Sequence, residues 1–125
     1  MRLGLLLILF VGSVSAHEWV PTYPSFKPSF IDEVMVTEMT LFNKREDAFI
    51  YEIRVLDKAF EPVKFATSER LVRLEYLQRR KIDIYIHKRD LEQVMYLCST
   101  SRILAEDRTR TVISSNVCSK VNEEE

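Results

Sequence analysis

Apolar and polar residues alternate along most of this chain. From Lys81 to His87, the polar Lys81, Asp83, Tyr85 and His87 interleave with Ile82, Ile84 and Ile86. That period of two marks a half-buried antiparallel strand. Ala48 to Leu56 repeats it, with Phe49, Tyr51, Ile53 and Val55 on one face and Glu52 and Arg54 on the other. Glu33 to Phe42 sets Met35, Met39 and Leu41 against Glu38 and Thr40. Shorter runs at Val63–Phe65 and Arg70–Leu74, with strands expected over Glu92–Ser99 and Thr111–Lys120, complete the set. Polar turn signals separate them at 43–47, 57–62 and 88–90. Helical periodicity is weak, Glu69–Arg80 alone admitting a turn or two. Strands at this spacing predict an all-β, two-sheet antiparallel sandwich of about seven strands.

Composition narrows the chemistry. A chain of 125 residues suits one domain. Its two glycines, Gly4 and Gly12, lie at the very start. Phosphate-cradling loops, dinucleotide fingerprints and nucleophile elbows need glycine where the backbone turns tightly, so all three are excluded. With 18 Lys+Arg against 19 Asp+Glu, the chain lacks the electrostatic footprint of a nucleic-acid binder. Two Cys and two His match no familiar zinc spacing.

The first residues read as an address. Met1-Arg2 is a basic start, Leu3 to Val11 is apolar, and Val14 and Ala16 sit where a signal peptidase prefers small residues. Residues 1–16 are therefore expected to be a signal peptide, with the mature chain beginning at His17, exported and without a later membrane span. Export places Cys98 and Cys118 where disulfides persist. A hairpin folded about Arg108 sets the two cysteines opposite each other, at a Cα separation of roughly 4.5–5.5 Å within disulfide reach. Two free buried thiols are the alternative. Residues 17–32 carry Trp19, Tyr23, Phe26 and Phe30 among Pro21, Pro24 and Pro28. The prolines exclude a central strand, so this segment is an extended arm. The sandwich is expected over 33–121 and a solvated acidic tail over 122–125.

The order Leu41-Phe42-Asn43, Tyr51-Glu52-Ile53-Arg54-Val55-Leu56-Asp57, Pro62-Val63-Lys64-Phe65-Ala66, then Leu71-Val72-Arg73-Leu74, Arg80 to Ile86 and Met95-Tyr96-Leu97 resembles the N-terminal domain of periplasmic pilus chaperones. That resemblance implies an immunoglobulin-like fold over roughly residues 33–104. Tyr96-x-Cys98 is similar to the tyrosine corner of immunoglobulin domains. No Cys lies on the earlier strand that would complete their inter-sheet bridge, and the Pro-Gly turn of the chaperones is replaced by Glu75-Tyr76-Leu77-Gln78. Those chaperones use two domains, so no subunit-binding residues carry over. The chain is also similar to small exported proteins of unknown role encoded by marine bacterial viruses.

Candidate sites follow. A mature N-terminal His17 offers an amine and a ring nitrogen to copper, with His87 as the available second imidazole; a frayed terminus and a surface histidine are the plainer account. Asp83, Tyr85 and His87 share a strand face, but no nucleophile stands beside them, so no catalytic residue is assigned. Arg79-Arg80-Lys81 with Lys88-Arg89 is a basic cluster that could meet phosphate or lipopolysaccharide, or simply keep an edge soluble. The aromatic arm is the strongest partner-binding candidate through Trp19, Tyr23, Phe26 and Phe30, either folding back on its own sandwich or docking on another protein. Together these point to a non-catalytic binding or assembly module of the cell envelope or a virus particle, acting by strand addition or arm docking. A copper-binding protein is the alternative.

Overall fold

Period-two alternation becomes strands throughout residues 17–102 and 114–121, which the computed structural model describes. The elements are β1 (Glu18–Val20), β2 (Lys27–Pro28), β3 (Val34–Phe42), β4 (Ile50–Leu56), β5 (Leu71–Arg73), β6 (Arg79–His87), β7 (Tyr96–Arg102) and β8 (Asn116–Lys120), with a 3-10 turn at Lys88–Gln93 before β7. In sheet A, β3 pairs along its full length with β6, while β1 and β2 divide its other edge between them. Sheet B has the order β5-β4-β7-β8. Every pairing is antiparallel. The fold is an immunoglobulin-like antiparallel β-sandwich.

The inward faces follow from side-chain parity. Met39 and Leu41 of β3 and Ile82, Ile84 and Ile86 of β6 meet Tyr51, Ile53 and Val55 of β4 and Leu97 of β7, all buried. Each contributes roughly 1.5–3 kcal/mol by leaving water. Trp19 enters the same core from β1, and its indole N–H donates to the Leu97 carbonyl at 2.9 Å. The stretch read as an arm thus supplies two strands of sheet A and a core tryptophan, so the sheet begins at Glu18 rather than near residue 33. Its prolines act as anticipated in one respect: between β1 and β2 the chain leaves the β3 edge, and Pro24 in that stretch is fully buried.

Other expectations shift locally. The strand expected from Glu92 starts at Tyr96, because the His87 Nδ1 accepts the Arg89 N–H at 3.1 Å and caps a 3-10 turn over Lys88–Gln93. Val63–Phe65 forms no strand of its own. It lies within a crossover that bonds to β4 through Val63 N–H, to β6 through Ala66, and to β4 again through the Arg70 carbonyl. The segment Glu69–Arg80 contains no helical turn but β5, a tight turn and the start of β6. Tyr96 stacks on Phe60, with ring centroids 5.0 Å apart. The signal peptide, the 105–110 turn and the acidic tail lie outside the described residues.

Cys98 and Cys118 stand opposite each other in the β7–β8 ladder and form a disulfide across a Cα separation of 4.1 Å. Closing a loop of sequence separation 20 stabilises the chain by about 3 kcal/mol in the chain-entropy picture. The double variant Cys98→Ala/Cys118→Ala should therefore lose about that much in denaturant unfolding. Amide exchange should quicken first across 116–120 while β3 and β6 stay protected. A loss under about 1 kcal/mol would assign the bridge a minor role.

Candidate functional site

One end of the sandwich is closed by polar side chains rather than apolar ones. On β7 the inward parity set by Leu97 continues to Ser99 and Ser101, both buried. His17, the residue just before β1 and 3% exposed, reaches across from the sheet A side. Its Nε2 lies 3.0 Å from the Ser99 carbonyl and 2.8 Å from Ser99 Oγ, and its Nδ1 lies 2.9 Å from Ser115 Oγ. A carbonyl can only accept, which assigns the proton to Nε2 and leaves Nδ1 to accept from the Ser115 hydroxyl. The ring also packs 4.6 Å from Tyr51.

The loop after β3 completes this end. Asn43 donates from Nδ2 to the carbonyls of Ala48 (2.7 Å) and Leu74 (3.0 Å). Its Oδ1 accepts from the Arg45 amide (2.9 Å) and the Tyr51 hydroxyl (2.5 Å). So held, the loop turns Arg45 inward, where Nη1 lies 3.4 Å from both Ser101 Oγ and Ser115 Oγ. Asp47 takes the other side of the guanidinium in a two-point contact of 2.9 and 2.7 Å. That bond holds the Asp47 carboxyl below its ordinary range, and burial pushes the Tyr51 phenol up to about 12.

A Ser–His contact invites a hydrolytic reading, and the geometry answers it. A general-base histidine needs a carboxylate on its second nitrogen to orient the ring and stabilise the imidazolium. Here both nitrogens meet serines, Asp47 is bound to Arg45, and the nearest charge is a cation. Burial lowers the imidazole pKa most; the Ser99 carbonyl opposes this and Arg45 adds to it. The cluster is built to keep His17 neutral and fixed.

The two histidines proposed for copper are not brought together. Glu18, next to His17, pairs with Phe42 at one end of β3, whereas His87 pairs with Val34 at the other. Among the described residues no group of three or more His, Cys, Asp or Glu could hold a metal. Of the four aromatics, Trp19 is buried in the core, which leaves its ring no free face, and Phe26 is half-buried against that core. Tyr23 at 66% and Phe30 at 89% stay exposed. Arg79 lies over the Phe42 ring at 4.2 Å, and Arg80 and Lys81 face Glu69 and Glu38 at 2.7 and 3.9 Å, so the basic cluster is largely spoken for. Ser99, Ser101 and Ser115 went unnoticed in the sequence; extending the parity of Leu97 along its strand would have found the first two.

The sheet edges differ in kind. On sheet A, one edge is broken into β1 and β2 with prolines around them, and β6 is bridged by Ala66 at Tyr85. On sheet B, β5 spans three residues, leaving β8 with five. The bonds Ser101 N–H to the Ser115 carbonyl and Val121 N–H to the Met95 carbonyl fix the ladder alternation. By that alternation Asn116, Cys118 and Lys120 direct their N–H and C=O groups away from β7, along the outer edge.

No protein family matches the chain, and none of the curated proteins does. Among solved structures it is similar to the ASH / PapD-like domain of human CEP192 (PapD-like domain 7), at 14% identity and a TM-score of 0.49, over 87% of each chain. Among the described residues no helix is long and apolar enough to cross a membrane.

His17 yields a pH prediction. The folded state holds the imidazole pKa below its ordinary 6.5, so the unfolded chain binds the proton first as pH falls. Stability should be level above about pH 7 and decline below 6.5, well before Asp47 begins to protonate. Melting temperatures at pH 7.5 and 5.0 should differ in the parent and converge in His17→Gln. An unchanged pH slope in that variant would discard the assignment.

Proposed function

We propose that this chain is an exported, non-catalytic protein-interaction module that accepts an extended segment of a partner protein along β8. The observation that carries the reading is the contrast among edges. Proteins blunt exposed edges with prolines, bulges, short strands or covering segments. The β1/β2, β5 and β6 edges each have one of these devices. Among the described residues β8 carries no proline, bulge or paired covering strand along Asn116–Lys120, Lys120 at its end being its one edge charge, and its disulfide to β7 orders it in advance, which lowers the cost of adding a strand. β1 lies beside β8 across the sandwich, so the start of the arm neighbours the same strand. Export is supported by the Met1–Ala16 pattern and by the disulfide, which persists in oxidising compartments.

The test uses the outward direction of the β8 amides. Proline at Asn116 and Lys120 removes two outward N–H donors and leaves the β7 ladder intact. A benzophenone side chain at position 118 is precluded by the disulfide, so it is placed at Ser114 in otherwise native protein produced in its own host. Irradiation should give a discrete adduct that Asn116→Pro/Lys120→Pro abolishes while circular dichroism shows the variant still folded, the lost Thr100–Asn116 bond lowering its melting temperature only modestly. A benzophenone at Lys81, on the β6 edge, should give none. Adducts that persist in the proline variant, or form equally at Lys81, would overturn strand addition on β8.

A further inference from the structure

The crossover between the sheets leaves a notch on the opposite edge of sheet B from β8. β4 receives its edge partners in two pieces: Val63 N–H donates to the Val55 carbonyl and Ile53 N–H donates to the Arg70 carbonyl, each at 2.8 Å. Between these points the chain departs to pair Ala66 with Tyr85 of β6. The gap is a groove of about 320 Å³, lined by Glu52, Arg54, Arg70 and Arg102 beside Val63 and Phe65.

Its charge is unbalanced. Glu52 is engaged by Arg102, whose Nε lies 2.6 Å from Oε2. Arg70 is pinned by a 2.9 Å bond from Nη2 to the Phe65 carbonyl and lies 4.5 Å over the Phe65 ring. Arg54 sits half-buried on the central strand β4, and among the described residues it has no carboxylate within ion-pair distance. The alternation that turns the Val55 carbonyl outward turns its N–H to the same side, adding a backbone donor. Three guanidiniums against one carboxylate make a donor-rich groove of net charge +2. Guanidinium forks match phosphate oxygens in geometry, and a phosphomonoester carries about −1.5 to −2 at neutral pH.

We propose that this notch binds a free phosphomonoester, with Arg54 as the principal contact and Arg70 and Arg102 as flanking donors. The proposal is independent of strand addition on β8. The probe is inorganic phosphate, titrated at constant ionic strength and pH 7.5 while amide shifts are followed by NMR. Saturable shifts should centre on Arg54, Val55, Val63 and Arg70. Arg54→Gln should weaken binding at least about tenfold, with Arg54→Lys between the two. Glu52→Gln should strengthen it by removing the one competing carboxylate of the groove, a change in the opposite direction that impaired folding would not produce. Shifts that fail to saturate, that centre elsewhere, or that persist within about twofold in Arg54→Gln would overturn the site.

Discussion

The two sheets are locked at one end by hydrogen bonds that begin on the first strand of one sheet and end on the other. Trp19 donates to the Leu97 carbonyl, and His17 meets the Ser99 carbonyl and the hydroxyls of Ser99 and Ser115. A sandwich built on dispersion and water exclusion alone can slide, because apolar contacts have little direction. Directed bonds between buried groups permit one alignment, since any slip would strand a donor or acceptor away from water. The segment that looks like an accessory arm is therefore what fixes the relative position of the sheets. The core between β3, β6, β4 and β7 forms around that alignment.

Fixing the sheets also determines which edges face solvent. With β1 committed to β3, it lies beside β8 without pairing to it, and among the described residues no strand pairs with the outer edge of β8. On the far side, the crossover from Pro62 to Leu74 serves both sheets in turn and can cover neither edge continuously. An open strand and a cationic notch are thus two consequences of one arrangement. Each follows from where a single covering segment is spent.

Much of this was legible from alternation alone. Ile82, Ile84 and Ile86 fall inward as expected, and the hairpin centred on Arg108 gave the Cys98–Cys118 register residue for residue. What escaped has physical causes. β1 and β2 are too short for period two to emerge, and their prolines argue against pairing, yet an edge strand needs only part of its ladder. The crossover changes sheets every few residues, so no run is long enough to read. The polar end was hidden because serine carries no hydrophobic signal, and a buried serine looks like an exposed one until its strand's parity is followed. Arg45 was read as turn charge for the same reason: its burial is set by Asn43, through bonds that no linear pattern shows.

The scarcity of glycine bears on the turns most directly. Glu33, Phe60 and Leu77 occupy left-handed backbone conformations with φ of 62°, 61° and 64°. Each costs roughly 1–2 kcal/mol for a residue with a Cβ, and each is held by bonds that leave little alternative. Asp57 Oδ1 accepts the amides of Ala59 and Glu61 around Phe60, whose ring stacks on Tyr96. The Leu77 amide donates to the Asn43 carbonyl at 2.7 Å, and the Gln78 carbonyl accepts from the Asn43 amide. The Lys88 amide donates to the Glu33 carbonyl. Asn43 therefore supports the Leu77 turn and the inward Arg45 at once, which couples the geometry of an exposed turn to the buried cluster.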